Sequence, residues 1–202
     1  ASFSSLDIRK RRVVAELVAA IRARCGSGFI IGLKLPGDDG VPGSVGPPEA
    51  AAIAAHLTAF GNVDYVCFAH GSHARTLEQH VPDGHGPRMP YVPLMRELRR
   101  SVNGVPVVAL GRITDPAEAD GLIARGDAEL VALGRALVTD PAWLAKAASG
   151  RAHDIRYCVS SNTCWERITG LRLPLACDNN PRVAEADEVD WRPARAERQK
   201  RL

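Results

Sequence analysis

The chain has 202 residues, 46% hydrophobic and 24% charged, an ordinary globular composition with enough length for one good core or about one and a half domains. Its net charge of +3, with dispersed arginines and no aromatic stacking platform beside them, argues against nucleic acid, and no apolar run is as long as a membrane span. The opening ASFSSLDIRKRR has no apolar region behind its basic residues, so a signal peptide is not expected and a cytoplasmic location follows by default.

In chain order, Ser5 to Arg24 sets Val13, Val14, Leu17, Val18 and Ile21 at helical spacing, and Gly26 and Gly28 stop the helix. Phe29 to Leu35, FIIGLKL, predicts a buried strand with one charge inside it, Lys34; Pro36 and Gly37 break the pattern. Pro47-Pro48-Glu49 opens a second helix that runs to Phe60 and is capped by Gly61. Val63 to Ala69 is the next strand. A loop rich in His, Gly and Pro follows, from His70 to Arg88, long for a compact domain and so expected to be functional or mobile. Then come a helix over Tyr91–Val102, a strand over Val105–Leu110, a helix over Pro116–Arg125, a strand over Glu129–Leu133 and a helix over Pro141–Ala148.

A helix followed by four βα units is the pattern of an α/β fold with a parallel sheet, wound into a (β/α)8 TIM-type barrel or left open. Four units are half of an eightfold barrel, and an isolated half leaves two strand edges unpaired. The chain therefore reads as incomplete: a fragment, a chain that needs a partner, or a half-barrel that self-associates. Residues 1–150 read as the half-barrel, 151–182 as a cysteine-containing loop with few helix or strand signals, and 183–202 as a charged linker or arm.

Two of the strands end in the same tripeptide, Leu110-Gly111-Arg112 and Leu133-Gly134-Arg135. Both runs are short, rich in Val and Leu and without polar interruption, as in a parallel strand buried on both faces. A Gly at the strand end lets a ligand approach the backbone, and the Arg behind it offers a fork suited to phosphate. A phosphate held after the last two strands recurs in (β/α)8 barrels. The plainer alternative is two βα turns that happen to use Gly and Arg. The five cysteines, Cys25, Cys67, Cys158, Cys164 and Cys177, are odd in number and unevenly placed, which argues for ligands or buried thiols over disulfides. The loop histidines His70, His73, His80 and His85 fit no standard metal spacing.

Several segments together resemble the old yellow enzyme family of FMN-dependent oxidoreductases, and within it the iron–sulfur branch that includes trimethylamine dehydrogenase and 2,4-dienoyl-CoA reductase. Ser5-Leu6-Asp7-Ile8-Arg9 is similar to the family's S-L-E-N-R segment, with Ile8 departing from Asn. Ile31 to Leu35 is similar to the fifth barrel strand, and Val105–Pro116 and Leu130–Pro141 to strands seven and eight with their phosphate turns. Ile155-Arg156-Tyr157-Cys158 and Cys177-Asp178-Asn179-Asn180-Pro181 are similar to the cluster loop and its C-x-x-N-P ending.

The resemblance implies an FMN-dependent oxidoreductase of the NADH:flavin oxidoreductase type, an amine dehydrogenase or enoate reductase passing hydride at flavin N5, with this chain a partial enzyme acting on a small molecule. It implies that Gly111, Arg112, Gly134 and Arg135 cradle the FMN phosphate. Lys34 falls where the family has Arg near the flavin pyrimidine edge; it keeps the charge and loses the planar fork. The alternative for Lys34 is a strand-end lysine reaching solvent. Cys158, Cys164 and Cys177 fall on cluster ligands of a [4Fe–4S] site whose remaining position here is Ser161, a hard donor. The cluster is then absent, three-iron ([3Fe–4S]), or four-iron with an unusual ligand; zinc on the three cysteines with His153 is a further option. In the family the first four strands, with the active-site acids, bases and substrate ligands, precede a segment like Ser5–Arg9. The competing function is a non-catalytic truncated or split half-barrel that needs a complementary chain or copies of itself. An open α/β phosphate-binding domain without flavin is the third reading.

Overall fold

The computed structural model describes residues 3–59 and 61–191, with side chains from Arg12 onward. Phe60, expected to end the second helix, and the arm beyond Trp191 lie outside the described residues. The chain divides into two compact units, residues 1–133 and 134–202.

The first unit alternates as expected. Its elements are α1 (Phe3–Cys25), β1 (Gly32–Asp38), α2 (Pro47–Thr58), β2 (Tyr65–His70), α3 (Leu77–His80), α4 (Val92–Arg99), β3 (Val107–Ala109), α5 (Pro116–Ala124) and β4 (Leu130–Val131). The strands form one sheet in the order β1-β2-β3-β4, and every pairing is parallel. No helix among the described residues is long and apolar enough to cross a membrane.

Strand β1 begins and ends three residues later than the apolar run predicts. Pairing starts at Gly32↔Tyr65, so Phe29 and Ile30 precede the strand and stay 50% and 71% exposed. At the other end the strand passes through Pro36 and Gly37 to Asp38, with a register irregularity between Pro36 and Asp38. Proline costs little there, because β1 is an edge strand and an edge position needs no N–H for a second neighbour. The Arg22 guanidinium secures the entry by donating to the carbonyls of Ser27 and Asn62 and to Asp64 Oδ2, which also accepts from Ile31 N.

Burial on both faces holds for β3, whose three residues are all buried, and fails for β4, where Leu130 is exposed and Val131 half-buried, and for β1 and β2. There exposure alternates: Leu35 and Gly37, then Val66 and Phe68, are buried, while Gly32 and Lys34 are exposed and Cys67 is half-buried. The helices cover one face only. On that face Leu35, Val66, Phe68, Val107 and Ala109 meet Ala50, Ala54 and Leu57 of α2, Met95 and Leu98 of α4, and Leu122 of α5. Each fully buried aliphatic chain contributes about 1.5–3 kcal/mol. Helix α1 adds Val18, Val14 and Ile21, whereas Val13 and Leu17 face water.

Helix α5 starts where its residues dictate. Asp115 accepts from Ala117 N at 2.8 Å, Pro116 occupies the first turn, and Glu118 reaches back to the N–H groups of Thr114 and Asp115.

In the second unit the expected helix is α7 (Trp143–Ala148), and a short helix that was not expected, α6 (Arg135–Thr139), precedes it with a break between the two. Pro141 forces the break, since the residue before a proline is driven out of helical geometry and Asp140 is extended. A 3-10 turn (Ala152–Asp154), the single turn α8 (Thr163–Trp165), a π-turn (Glu166–Gly170) and a bridge between Cys177 and Asn180 follow. The fully buried Asp140 carboxylate organises this unit. It accepts from Lys146 Nζ at 2.5 Å and from the N–H groups of Arg156 and Ala142.

Candidate functional site

Parallel sheets present their ligands at the carboxyl ends of the strands; of three features of the first unit two lie there, while Lys34 lies inside β1, four residues before its end. The turn after β3 is the first. Gly111 has φ +100°, a region open to glycine, and a Cβ at this position would stand 2.6 Å from the Tyr91 ring. Arg112 follows at φ +54°. Two successive left-handed residues turn the backbone sharply. Among the described residues the N–H groups of Gly111 and Arg112 have no hydrogen-bond acceptor. The Arg112 guanidinium is committed elsewhere: it donates to the carbonyls of Gly84, Gly86 and Pro87 and pins the long loop over this turn. The donors this turn can offer an anion are therefore its backbone N–H groups.

Lys34 is exposed on the uncovered face of β1, in register with Cys67 of β2. Burial pushes the Cys67 thiol up, and the Lys34 charge partly offsets this. The third feature was not legible beforehand. Asp38 and His70 are the last residues of β1 and β2, with His70 Nε2 4.0 Å from Asp38 Oδ2. His70 stands edge-on to Tyr91, and its Nδ1 is buried without a partner. Ending β1 at Leu35 hid Asp38; the parallel register, which pairs Asp38 with His70, reveals it. The His73 and His80 rings lie 4.3 Å apart at a tilt of 52° in the same loop, and His85 is 97% exposed beside Asp83.

The second unit opens with the matching turn. Gly134 is the N-cap of α6, and a Cβ there would meet nothing within 4 Å. The Arg135 guanidinium donates to Asn162 Oδ1, which ties α6 to the cysteine loop. That loop is wound tightly, with Ser160 and Asn162 both at positive φ. Its winding and the Cys177–Asn180 bridge bring Cys158, Cys164 and Cys177 to one cleft, with Arg135, Thr139, Ser161 and Asp178. None of the three is in a disulfide. Burial pushes the Cys164 thiol up, Cys158 and Cys177 add to the shift, and Arg135 opposes it.

Among the described residues no group of three or more His, Cys, Asp or Glu side chains is set to close on a single metal ion. His153, the fourth ligand of the zinc option, is not among the residues lining the cleft; it is 77% exposed and lies 3.5 Å from Asp154. Ser161 stands at the expected fourth position, and Thr163 and Asp178, which the spacing did not single out, surround it. The hydroxyls of Ser161 and Thr163 hold the Asp178 carboxyl below its usual range.

A family model described as NADH:flavin oxidoreductase / NADH oxidase matches residues 5–154. A probable N-methylproline demethylase from Rhizobium meliloti is 34% identical over 81% of this chain and 24% of its own length. An N,N-dimethylglycine/sarcosine dehydrogenase from Chromohalobacter salexigens is 31% identical over 78% of this chain and 23% of its own. The chain thus spans about a quarter of the length of these relatives. A solved 2-naphthoyl-CoA reductase in complex with 2-naphthoyl-CoA superposes with a TM-score of 0.78 over 89% of this chain and 27% of that one. At 22% identity that likeness shows the fold: the four parallel βα units are part of a TIM-barrel-type architecture. A match running from α1 through both Gly-Arg turns, joined to relatives above 30% identity, places the chain in the NADH:flavin oxidoreductase / NADH oxidase family.

Proposed function

We propose that this chain is the FMN-phosphate side of an oxidoreductase that dehydrogenates a small N-methylated amine or, as the runner-up, reduces an activated alkene. The observation that carries the reading is the Gly111–Arg112 turn: free N–H groups at the carboxyl end of a parallel strand, in a chain matched to a flavin family over the whole of that region. Backbone donors suit a phosphate without further chemistry. The turn at Gly134–Arg135 has the same role in this reading, and the open space at Gly134 fits close approach of a ligand. Bound FMN supplies the hydride-accepting N5. Lys34 keeps a cation on the uncovered face of the sheet, where it favours negative charge on a reduced flavin. Arg112 holds the loop over 84–87 in place at the strand ends. The two relatives named for N-methylproline and for N,N-dimethylglycine and sarcosine favour amines over alkenes.

Cys158, Cys164 and Cys177 are the ligands of an iron–sulfur cluster in this reading. Their shared cleft supports it, since a cluster draws its thiolates from cysteines that the fold brings together. Free thiols of this kind belong in a reducing, cytoplasmic compartment.

Titration with FMN and riboflavin, followed by flavin fluorescence, tests the phosphate assignment. FMN should bind at least about tenfold tighter than riboflavin, a difference of roughly 1.4 kcal/mol. Gly134→Asp should abolish that preference by setting a carboxylate against the phosphate. Equal binding of the two flavins by the unsubstituted chain would overturn the assignment. A second reading, a non-catalytic half-barrel that needs a partner chain or its own copies, is favoured by the uncovered faces of β1 and β2.

A further inference from the structure

The thiol cleft of the second unit is chemically lopsided. Cys158, Cys164 and Cys177 bring sulfur to it, while the position midway between Cys158 and Cys164 brings the Ser161 hydroxyl. Ser161 Oγ lies 3.3 Å from Thr163 Oγ1 and 3.5 Å from Thr163 N, and Thr163 Oγ1 donates to Asp178 Oδ2 at 2.9 Å. The serine is held in a chain of oxygen partners that a ligand oxygen would have to leave. It is also a hard donor where cluster iron calls for a soft one. Among the described residues lining the cleft there is no fourth cysteine.

Resting on the cluster reading above, we propose that this chain holds a [3Fe–4S] cluster on Cys158, Cys164 and Cys177, with the corner beside Ser161 left without iron. Each iron of a four-iron cube has three sulfide neighbours and takes its fourth ligand from the protein. Three thiolates complete three irons. The fourth iron would have no thiolate, so it is the one given up. Arg135, which lines the same cleft, sets a cation beside the anionic thiolates and cluster. The site is thus a one-corner-deleted version of a four-thiolate cluster, and the deletion is written in a single side chain.

The test is anaerobic reconstitution of the 202-residue chain with ferric and ferrous iron and sulfide, beside Ser161→Cys, read by iron content and electron paramagnetic resonance. Ser161 is exposed and cysteine is nearly isosteric, so the variant leaves packing intact. The expected result is three irons per chain and a half-integer-spin signal in the oxidised state. Ser161→Cys should take up a fourth iron, lose the oxidised-state signal and gain one only on reduction. Four irons and a silent oxidised state in the unsubstituted chain would overturn the proposal, since oxygen or water would then complete the corner. An iron-free unsubstituted chain beside a four-iron Ser161→Cys would also overturn it, while leaving the cysteines as a cluster site. Failure of both proteins to hold iron would overturn the proposal and the cluster reading together.

Discussion

Gly111 answers to two demands at once. Its backbone needs the left-handed region, and its missing Cβ leaves room for the Tyr91 ring, whose hydroxyl lies 2.6 and 2.7 Å from the carbonyls of Gln79 and His80. Gly111→Ala should therefore cost about 1–3 kcal/mol, from the backbone conformation alone, and more if the ring cannot shift. Urea unfolding at constant m-value measures it, and an unchanged midpoint would show that the turn relaxes. Glu129 makes a prediction in pH. The Arg99 guanidinium, opposed by burial and helped by the Val107 N–H, pushes its carboxyl down to about 2 from an ordinary 4.5. A lowered carboxyl stabilises the fold above its unfolded value and loses that contribution as pH falls toward the folded one. Glu129→Gln should thus lower stability by roughly 1 kcal/mol at neutral pH, a value kept small by exposure to water. The gap should close between pH 4.5 and about 2. Thermal melts across that range give the answer, and a gap that persists at the acid end would count against the pair.

Elements are joined by charged side chains placed at their ends. Arg96 of α4 forms a two-point contact with Asp127 at 2.5 and 2.7 Å, which fixes the turn leading into β4. The Asp115 cap does the same for α5, and Asp115→Ala should cost about 1 kcal/mol with the fold retained. The pair Asp140–Lys146 carries more weight, because its carboxylate is wholly buried and its amine nearly so. Lys146→Met removes the nearer cation and leaves the buried charge to two backbone N–H groups and the Arg156 guanidinium, 3.9 Å away. A loss of about 3–5 kcal/mol is expected, enough to expose the cysteine loop to proteolysis before residues 1–133 are cut. Simultaneous cleavage of both units would show that Asp140 is not the organiser of the second. The break at Asp140 was itself readable from Pro141, yet helix α6 was not foreseen, because a five-residue helix has too few positions to show a period.

For the whole molecule, the decisive feature is a sheet covered on one face. Phe29 and Ile30 are exposed beside an edge strand, and an unpaired edge invites another chain. The chain should self-associate as concentration rises, and Ile30→Lys should shift it several-fold toward monomer without changing its far-ultraviolet dichroism. Light scattering after gel filtration decides this, and a strictly monomeric unsubstituted chain would leave the edge with no role in association.

The alternation of helix and strand, the parallel sheet, the two Gly-Arg turns and the cysteine spacing were legible in the residues. Each is a local signal: a period of 3.6 or 2, a short motif, or a cap within four residues of its helix. Local signals are set by neighbours along the chain, so they survive without the fold. What only tertiary structure decided depends on partners far away in sequence. The three-residue shift of β1 comes from pairing with β2, about thirty residues on. The exposure of Lys34 and the half-burial of Cys67 follow from which face the helices cover. The commitment of Arg112 to carbonyls at 84–87, and of Arg135 to Asn162, was equally hidden. A guanidinium can donate to a phosphate, a carbonyl or an amide oxygen, and its surroundings choose among them.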